Sequence, residues 1–237
     1  MEINLAHFNV SIGRQKPENI LHSDVPCPFC DTSKLTGIIE RDGDIILLKN
    51  KYNVIEEADQ FVLIEGAGPI GLIHLLLAKI AGARKVIVSE PNEYRRTKAK
   101  ELGAEVVLDP MKEKLEDVVK RETDGLGADV VILCIGVPAI VNQAFQLCRR
   151  NGTVMLFAGF PEKSTSDIVP NLIHYSEIHV TGSTAYTRQD YREAANLVKS
   201  KRIDLSGIIT HRFKIEEFQE AYELAKSGAG LKICIVN

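Results

Sequence analysis

The stretch FVLIEGAGPIG, residues 61–71, decides the fold of this chain. An apolar run of strand composition feeds directly into the spacing Gly66-x-Gly68-x-x-Gly71, and a second apolar run follows it. In a turn of this kind the first glycine permits a sharp reversal, the second lets a pyrophosphate approach the backbone, and the third lets the helix pack on the strand. Three glycines in six residues are weak evidence by themselves; their place between strand and helix supplies the context. Gly66, Gly68, Pro69, Ile70 and Gly71 are therefore candidate cofactor contacts, with the amides and positive dipole end of the following helix facing the phosphates. The next apolar strand ends at Ser89-Glu90, and Glu90 lies nineteen residues past Gly71. An acidic ribose ligand is expected about 20 residues on. Glu90 would accept hydrogen bonds from both adenosine ribose hydroxyls and would repel a 2′-phosphate, which favours NAD over NADP. Arg95 and Arg96 can flank the adenine, bind a 2′-phosphate, or simply begin a solvated helix, and for Arg96 the last reading is preferred. His74, one turn inside the first helix, is read as a packed helix residue outside the site.

Outward from this turn, strands alternate with helices, as in a parallel sheet covered on both faces. Strands are predicted at Phe61 to Glu65, Lys85 to Ser89, Glu105 to Leu108, Asp129 to Ile135, Thr153 to Ala158 and Glu177 to Thr181. Helices are predicted to start near Pro69, Tyr94, Lys112 and Pro138, with another from Arg188 to Ser200. The fold class is α/β, a doubly wound parallel sheet of the Rossmann type with a small N-terminal β-containing appendage. Residues 1–60 form that appendage, with Asp42-Gly43 turning a hairpin between apolar strands. Residues 61–205 form the dinucleotide-binding domain, and residues 206–237 form a strand, helix and strand that return; the hairpin Ile38 to Leu48 is expected to pair with the closing strands Ile208 to Phe213 and Lys232 to Val236.

Composition narrows the function classes. With 29 Lys+Arg against 32 Asp+Glu, the net charge of -3 gives no basic field for nucleic acid or an anionic membrane. No apolar stretch is long enough to span a bilayer, and the first residues lack a secretory signal pattern. A cytoplasmic protein with a small-molecule ligand is expected. The five cysteines, at 27, 30, 134, 148 and 234, do not suggest a disulfide scaffold. The three later ones read as small hydrophobes.

The run GAGPIGL followed by AKIAGARKVIVSEPNEYRRTKAKELGAEVVLDP resembles the medium-chain dehydrogenase/reductase family, above all its zinc-dependent polyol, sorbitol and threonine dehydrogenases. The resemblance continues through DGLGADVVILCIGVP, NGTVMLFAGFP, EIHVTGSTAYT and ITHRFKIEEFQEAYELAKSG to the end. It implies an NAD-linked oxidoreductase that oxidises an alcohol or polyol. It places Glu90 and Arg95 on the adenosine ribose, Cys134, Ile135 and Gly136 over the adenosine half, and Phe157, Ala158, Gly159, Thr181, Gly182 and Ser183 along the nicotinamide. These later contacts are largely backbone, so a packing role for Cys134 and Phe157 stays open. It also implies a homo-oligomer formed along the sheet edge at Ile178 to Ser183.

In the resembled family a separate catalytic domain holds zinc through a cysteine, a Gly-His-Glu histidine and an acidic residue. This sequence contains neither Gly-His-Glu nor a four-cysteine cluster. A bound Lewis acid lowers the alcohol's pKa so that an alkoxide can donate hydride at neutral pH, so catalysis is expected to be impaired or absent. Cys27 and Cys30 are candidate zinc ligands; the pair could also be redox-active or merely two turn cysteines. Residues 27–65 resemble the opening of galactose-1-phosphate uridylyltransferase-like proteins of the histidine-triad superfamily, but the nucleophilic His-x-His is absent. Two resemblances meeting near Phe61 to Glu65 suggest a chimeric chain. A charge at Glu65 is unusual at an apolar strand end, and it reads as a mark of that junction, an acceptor at the cofactor mouth, or a destabilising charge. The alternative to an enzyme is a non-catalytic NAD(H)-binding or interaction module, and a poorly functional fusion is a third reading.

Overall fold

A six-stranded sheet carries the architecture, and every pairing within it is parallel. The computed structural model describes residues 60–236 and, as backbone only, two strands before them. Those two, β1 (Ile38–Asp42) and β2 (Ile45–Leu48), pair antiparallel as the expected hairpin. The large sheet comprises β3 (Phe61–Glu65), β4 (Lys85–Ser89), β5 (Val106–Leu108), β6 (Ala128–Leu133), β7 (Cys148–Leu156) and β8 (His179–Gly182) in the order β5-β4-β3-β6-β7-β8. The chain thus starts in the middle, winds to one edge, returns and winds to the other. That reversal puts a crevice between β3 and β6 at their carboxyl ends.

Helices cover both faces: α1 (Pro69–Ile80), α2 (Glu93–Glu101), α3 (Leu115–Glu122), α4 (Val141–Leu147), α5 (Pro170–Ser176) and α6 (Arg188–Lys199). Alternation along the strands divides the core in two. Val62, Ile64, Val86, Val88 and Ile132 pack with Leu72 and Leu75 of α1, whereas Leu63, Ile87, Val131 and Leu133 pack with Val118 and Val119 of α3 and with Phe145 of α4. Leu63, Ile64, Ile87 and Ile132 are at most 1 % exposed, and burial of each such side chain contributes roughly 1.5–3 kcal/mol. The strand composition is apolar on both sides because both sides are covered.

Several boundaries move. Strand β7 begins five residues before the expected Thr153, because Ala128 pairs with Cys148 across an irregularity that takes up the polar Arg149, Arg150 and Asn151. Asn151 adopts a φ of 57° there. The helix expected near Lys112 starts instead at Leu115, after a turn in which the Lys112 and Glu113 amides donate to the Asp109 carbonyl. Pro138–Ile140 forms a single 3-10 turn ahead of α4, and α5 was not foreseen.

At the end of the chain, β9 (Ile209–Phe213), α7 (Phe218–Ser227) and β10 (Lys232–Ile235) match the expected strand, helix and strand. The expectation that the hairpin pairs with these strands is overturned: among the described residues β9 and β10 pair in parallel with each other, and β1 and β2 pair with each other in a separate sheet. The closing segment is fastened to the α1 side of the sheet by Ile203, Ile208 and Leu231.

Candidate functional site

The glycine turn is held by backbone and by one carboxylate. The Gly66 amide donates to the Ser89 carbonyl at 2.8 Å, and the Cys134 amide donates to the Glu65 carbonyl at 2.9 Å, which locks the turn to the ends of β4 and β6. Gly71 is obligatory: a Cβ there would lie 1.8 Å from the Gly66 carbonyl oxygen. By contrast, a Cβ on Gly68 would meet nothing within 4 Å, so the second glycine opens onto free space in front of the first turn of α1. That cradle fits a pyrophosphate.

Glu90 is 4 % exposed and has both oxygens fixed by amides, Oε2 by Ala67 at 2.7 Å and Oε1 by Asn92 at 2.9 Å. It therefore clamps the middle of the glycine turn while keeping lone pairs for a further donor. The Asn92 side chain caps α2 by accepting from the Arg95 amide at 3.1 Å. Arg96, read from sequence as solvated, is a brace: its guanidinium donates to the Glu90 carbonyl at 2.9 Å and meets Asp109 at 3.2 Å. Arg95 does not line the crevice beside Glu90. A terminal guanidinium nitrogen lies 3.8 Å from where a Gly228 Cβ would stand, beside the end of α7, and its Nε is buried without a partner.

The crevice has a volume of about 600 Å³. Glu65, Gly66 and Glu90 contribute to its lining, and Pro91, Met111, Ile135 and Val137 are among its apolar residues. Gly66, Glu90 and Ile135 are thus brought together as expected. Met111, Lys114 and Gln143 were missed, because they come from loop and helix starts with no periodic signal. Gly136 and Gly159 touch: a Cβ on Gly136 would lie 2.0 Å from the Gly159 carbonyl oxygen, which joins the Cys134 to Gly136 segment to the Phe157 to Gly159 segment. Thr181 and Gly182 stand opposite Met155 and Leu156 at the end of the edge strand β8, and Ser183 follows.

Three titratable groups stand out. Glu65 is 4 % exposed, its Oε1 has no hydrogen-bond partner, and burial raises its carboxyl to about 7. The Cys134 thiol is pushed up to about 12, by burial first and then by the Glu65 charge, which makes it an inert packing group at neutral pH. His74 packs edge-on against Phe157 with centroids 4.4 Å apart, and burial lowers it to about 4. It is a neutral core histidine.

Among the described residues no three His, Cys, Asp or Glu side chains converge as a metal site. Cys27 and Cys30 lie outside the described residues. No described helix is long and apolar enough to cross a membrane.

Comparison with known proteins agrees with this geometry. L-threonine 3-dehydrogenase of Pyrococcus furiosus is 38 % identical over 178 residues, 74 % of this chain and 51 % of that protein. Sorbitol dehydrogenase of Ovis aries is 36 % identical over 73 % of this chain and 49 % of its own length. A zinc-binding dehydrogenase structure from Sinorhizobium meliloti, bound to NADP, superposes with a TM-score of 0.68 at 32 % identity, covering 76 % of this chain and 53 % of the other. The chain spans about half the length of the curated relatives it matches. Residues 8–71 match a different family, the N-terminal domain of a domain of unknown function, DUF4931, so the two family matches overlap at residues 69–71. Residues 69–200, more than half of the chain, match the zinc-binding dehydrogenase family, and the chain belongs to that family.

Proposed function

We propose that residues 61–205 bind a nicotinamide dinucleotide, NAD(H) in preference to NADP(H), as the cofactor unit of an alcohol- or polyol-type dehydrogenase. The observation that carries this is Glu90, pinned by the Ala67 and Asn92 amides at the end of β4. A carboxylate so held accepts from the ribose hydroxyls without reorganising and repels a 2′-phosphate. Gly68 leaves room for the pyrophosphate, with Pro69, Ile70 and Gly71 forming the helix start behind it. Ile135 forms an apolar wall for the base, and the backbones of Phe157 to Gly159 and Thr181 to Ser183 border the nicotinamide end. The NADP-bound relative supports the cofactor class, and the names of the threonine and sorbitol dehydrogenases support a small hydroxylated substrate that loses hydride. Cys27 and Cys30 remain the candidate zinc ligands of the sequence, and among the described residues no metal site is formed. Val180, 43 % exposed on the edge strand β8, supports association of two copies along that edge.

A second reading, a non-catalytic NAD(H)-binding or interaction module of chimeric origin, is favoured by the overlap of two family matches at residues 69–71. Calorimetric titration with NADH and NADPH tests the cofactor, and an alcohol and polyol panel with added zinc tests turnover. NADH should bind at least about tenfold more tightly than NADPH, and Glu90→Gln should narrow that ratio. No binding at millimolar NADH would overturn both readings, whereas zinc-dependent turnover would overturn the non-catalytic one.

A further inference from the structure

Two carboxylates flank the same glycine turn. Glu90 has a donor on each oxygen, whereas Glu65, two residues before Ala67 in the chain, lines the crevice with a buried Oε1 that meets no donor. A buried carboxylate oxygen without a donor has lost its hydration and gained nothing in return, which favours a proton or a cation on the group. The charged and titratable groups facing the crevice do not supply one at close range. Glu90 faces it from the end of β4 and Glu116 from α3, both acidic; Lys114, at the cap of α3, has an exposed side chain on the rim; α4 contributes only the uncharged Gln143. Cys134, at the end of β6, is a neutral thiol. On α1, His74 packs against Phe157 within the other core.

We propose that Glu65 makes dinucleotide binding proton-linked: the carboxyl takes up a proton from solvent when the dinucleotide binds and is neutral in the complex. This rests on the cofactor reading above. The reason is electrostatic. A bound dinucleotide brings two pyrophosphate charges to the turn that begins at Gly66, the residue next to Glu65, and it also expels water from the crevice. Like charge and desolvation both favour the neutral acid. Burial already holds the free carboxyl at about 7, so the change falls within the neutral range. The sign follows. Below the free value the carboxyl is already neutral and binding is tightest; as pH rises through it, affinity falls, because the ionised form must be reprotonated first.

NADH is the probe, since it lacks the titrating 2′-phosphate. Calorimetry of the full chain in two buffers of different ionisation enthalpy should show proton uptake, largest at about pH 8, and NADH affinity should fall roughly twentyfold between about pH 6 and pH 8.5. Glu65→Gln should remove both effects and hold tight affinity at the higher pH. Zero proton uptake by the unsubstituted protein overturns the proposal without recourse to a variant. NADH binding with the same pH profile in the protein and in Glu65→Gln also overturns it, while leaving the cofactor reading intact. Absence of NADH binding at every pH overturns both.

Discussion

The two ends of strand β3 treat a buried carboxylate in opposite ways. At the amino end, Asp129 of β6 accepts from the Phe61 amide at 2.8 Å and pairs with Arg149 at 2.5 Å. At the carboxyl end, Glu65 is buried as deeply and its Oε1 has no donor. The first arrangement seals the bottom of the sheet; the second leaves an open acceptor at the crevice. An unpaired buried carboxylate oxygen is costly, and this one stands at the carboxyl end of a parallel sheet, the end at which ligands bind.

The sharpest way to break this contrast is to destroy the turn that defines the upper end. Gly71→Ala would drive a methyl group into the Gly66 carbonyl, and it should lower unfolding stability in urea by about 3 kcal/mol or more. Next in size is Glu65→Leu. With a folded value of about 7 above the ordinary 4.5, the folded chain binds the proton more tightly than the unfolded one. The penalty of Glu65 is therefore absent below about pH 4.5, grows as pH rises to about 7 and is constant above that. The leucine variant should be more stable than the parent by up to about 3 kcal/mol at pH 8 and should lose that advantage near pH 4.5, as read by denaturant melts at the two pH values. Asp129→Ala should go the other way, costing about 2 kcal/mol by stranding the Phe61 amide. If both carboxylates proved stabilising at neutral pH, the contrast between the two ends would be wrong. The smallest effect belongs to Lys79→Ala. Its ion pair with Glu105 is exposed, so a change under about 1 kcal/mol in the same melts is expected.

The sheet was legible because a strand buried on both faces announces itself as an unbroken apolar run; β3 and β4 have the expected ends. The misses have a common cause. The start of β7 is polar because it runs through an irregular pairing, and α5 is a seven-residue helix opened by Pro170, too short to show a period. At the site, the spacing from Gly71 singled out the Glu90 carboxylate, but no spacing shows that two backbone amides hold it. Glu65 was visible as an anomaly. Its solitude was not, because the lack of a donor depends on residues from four separate elements. Pairing of the closing strands was also misjudged: β9 and β10 complete each other in parallel across α7, a pairing that local pattern does not distinguish from one with the hairpin.

The contact between Gly136 and Gly159 constrains motion as well as shape. With backbone touching backbone, the loop after β6 cannot shift without carrying the loop after β7. The two loops are then one rigid part. Much of the entropy that two independent loops would lose on closing has been surrendered at folding. A side chain at Gly136 would pry the two loops apart while the remainder of the sheet stayed folded, whereas one at Gly159 would meet nothing within 4 Å.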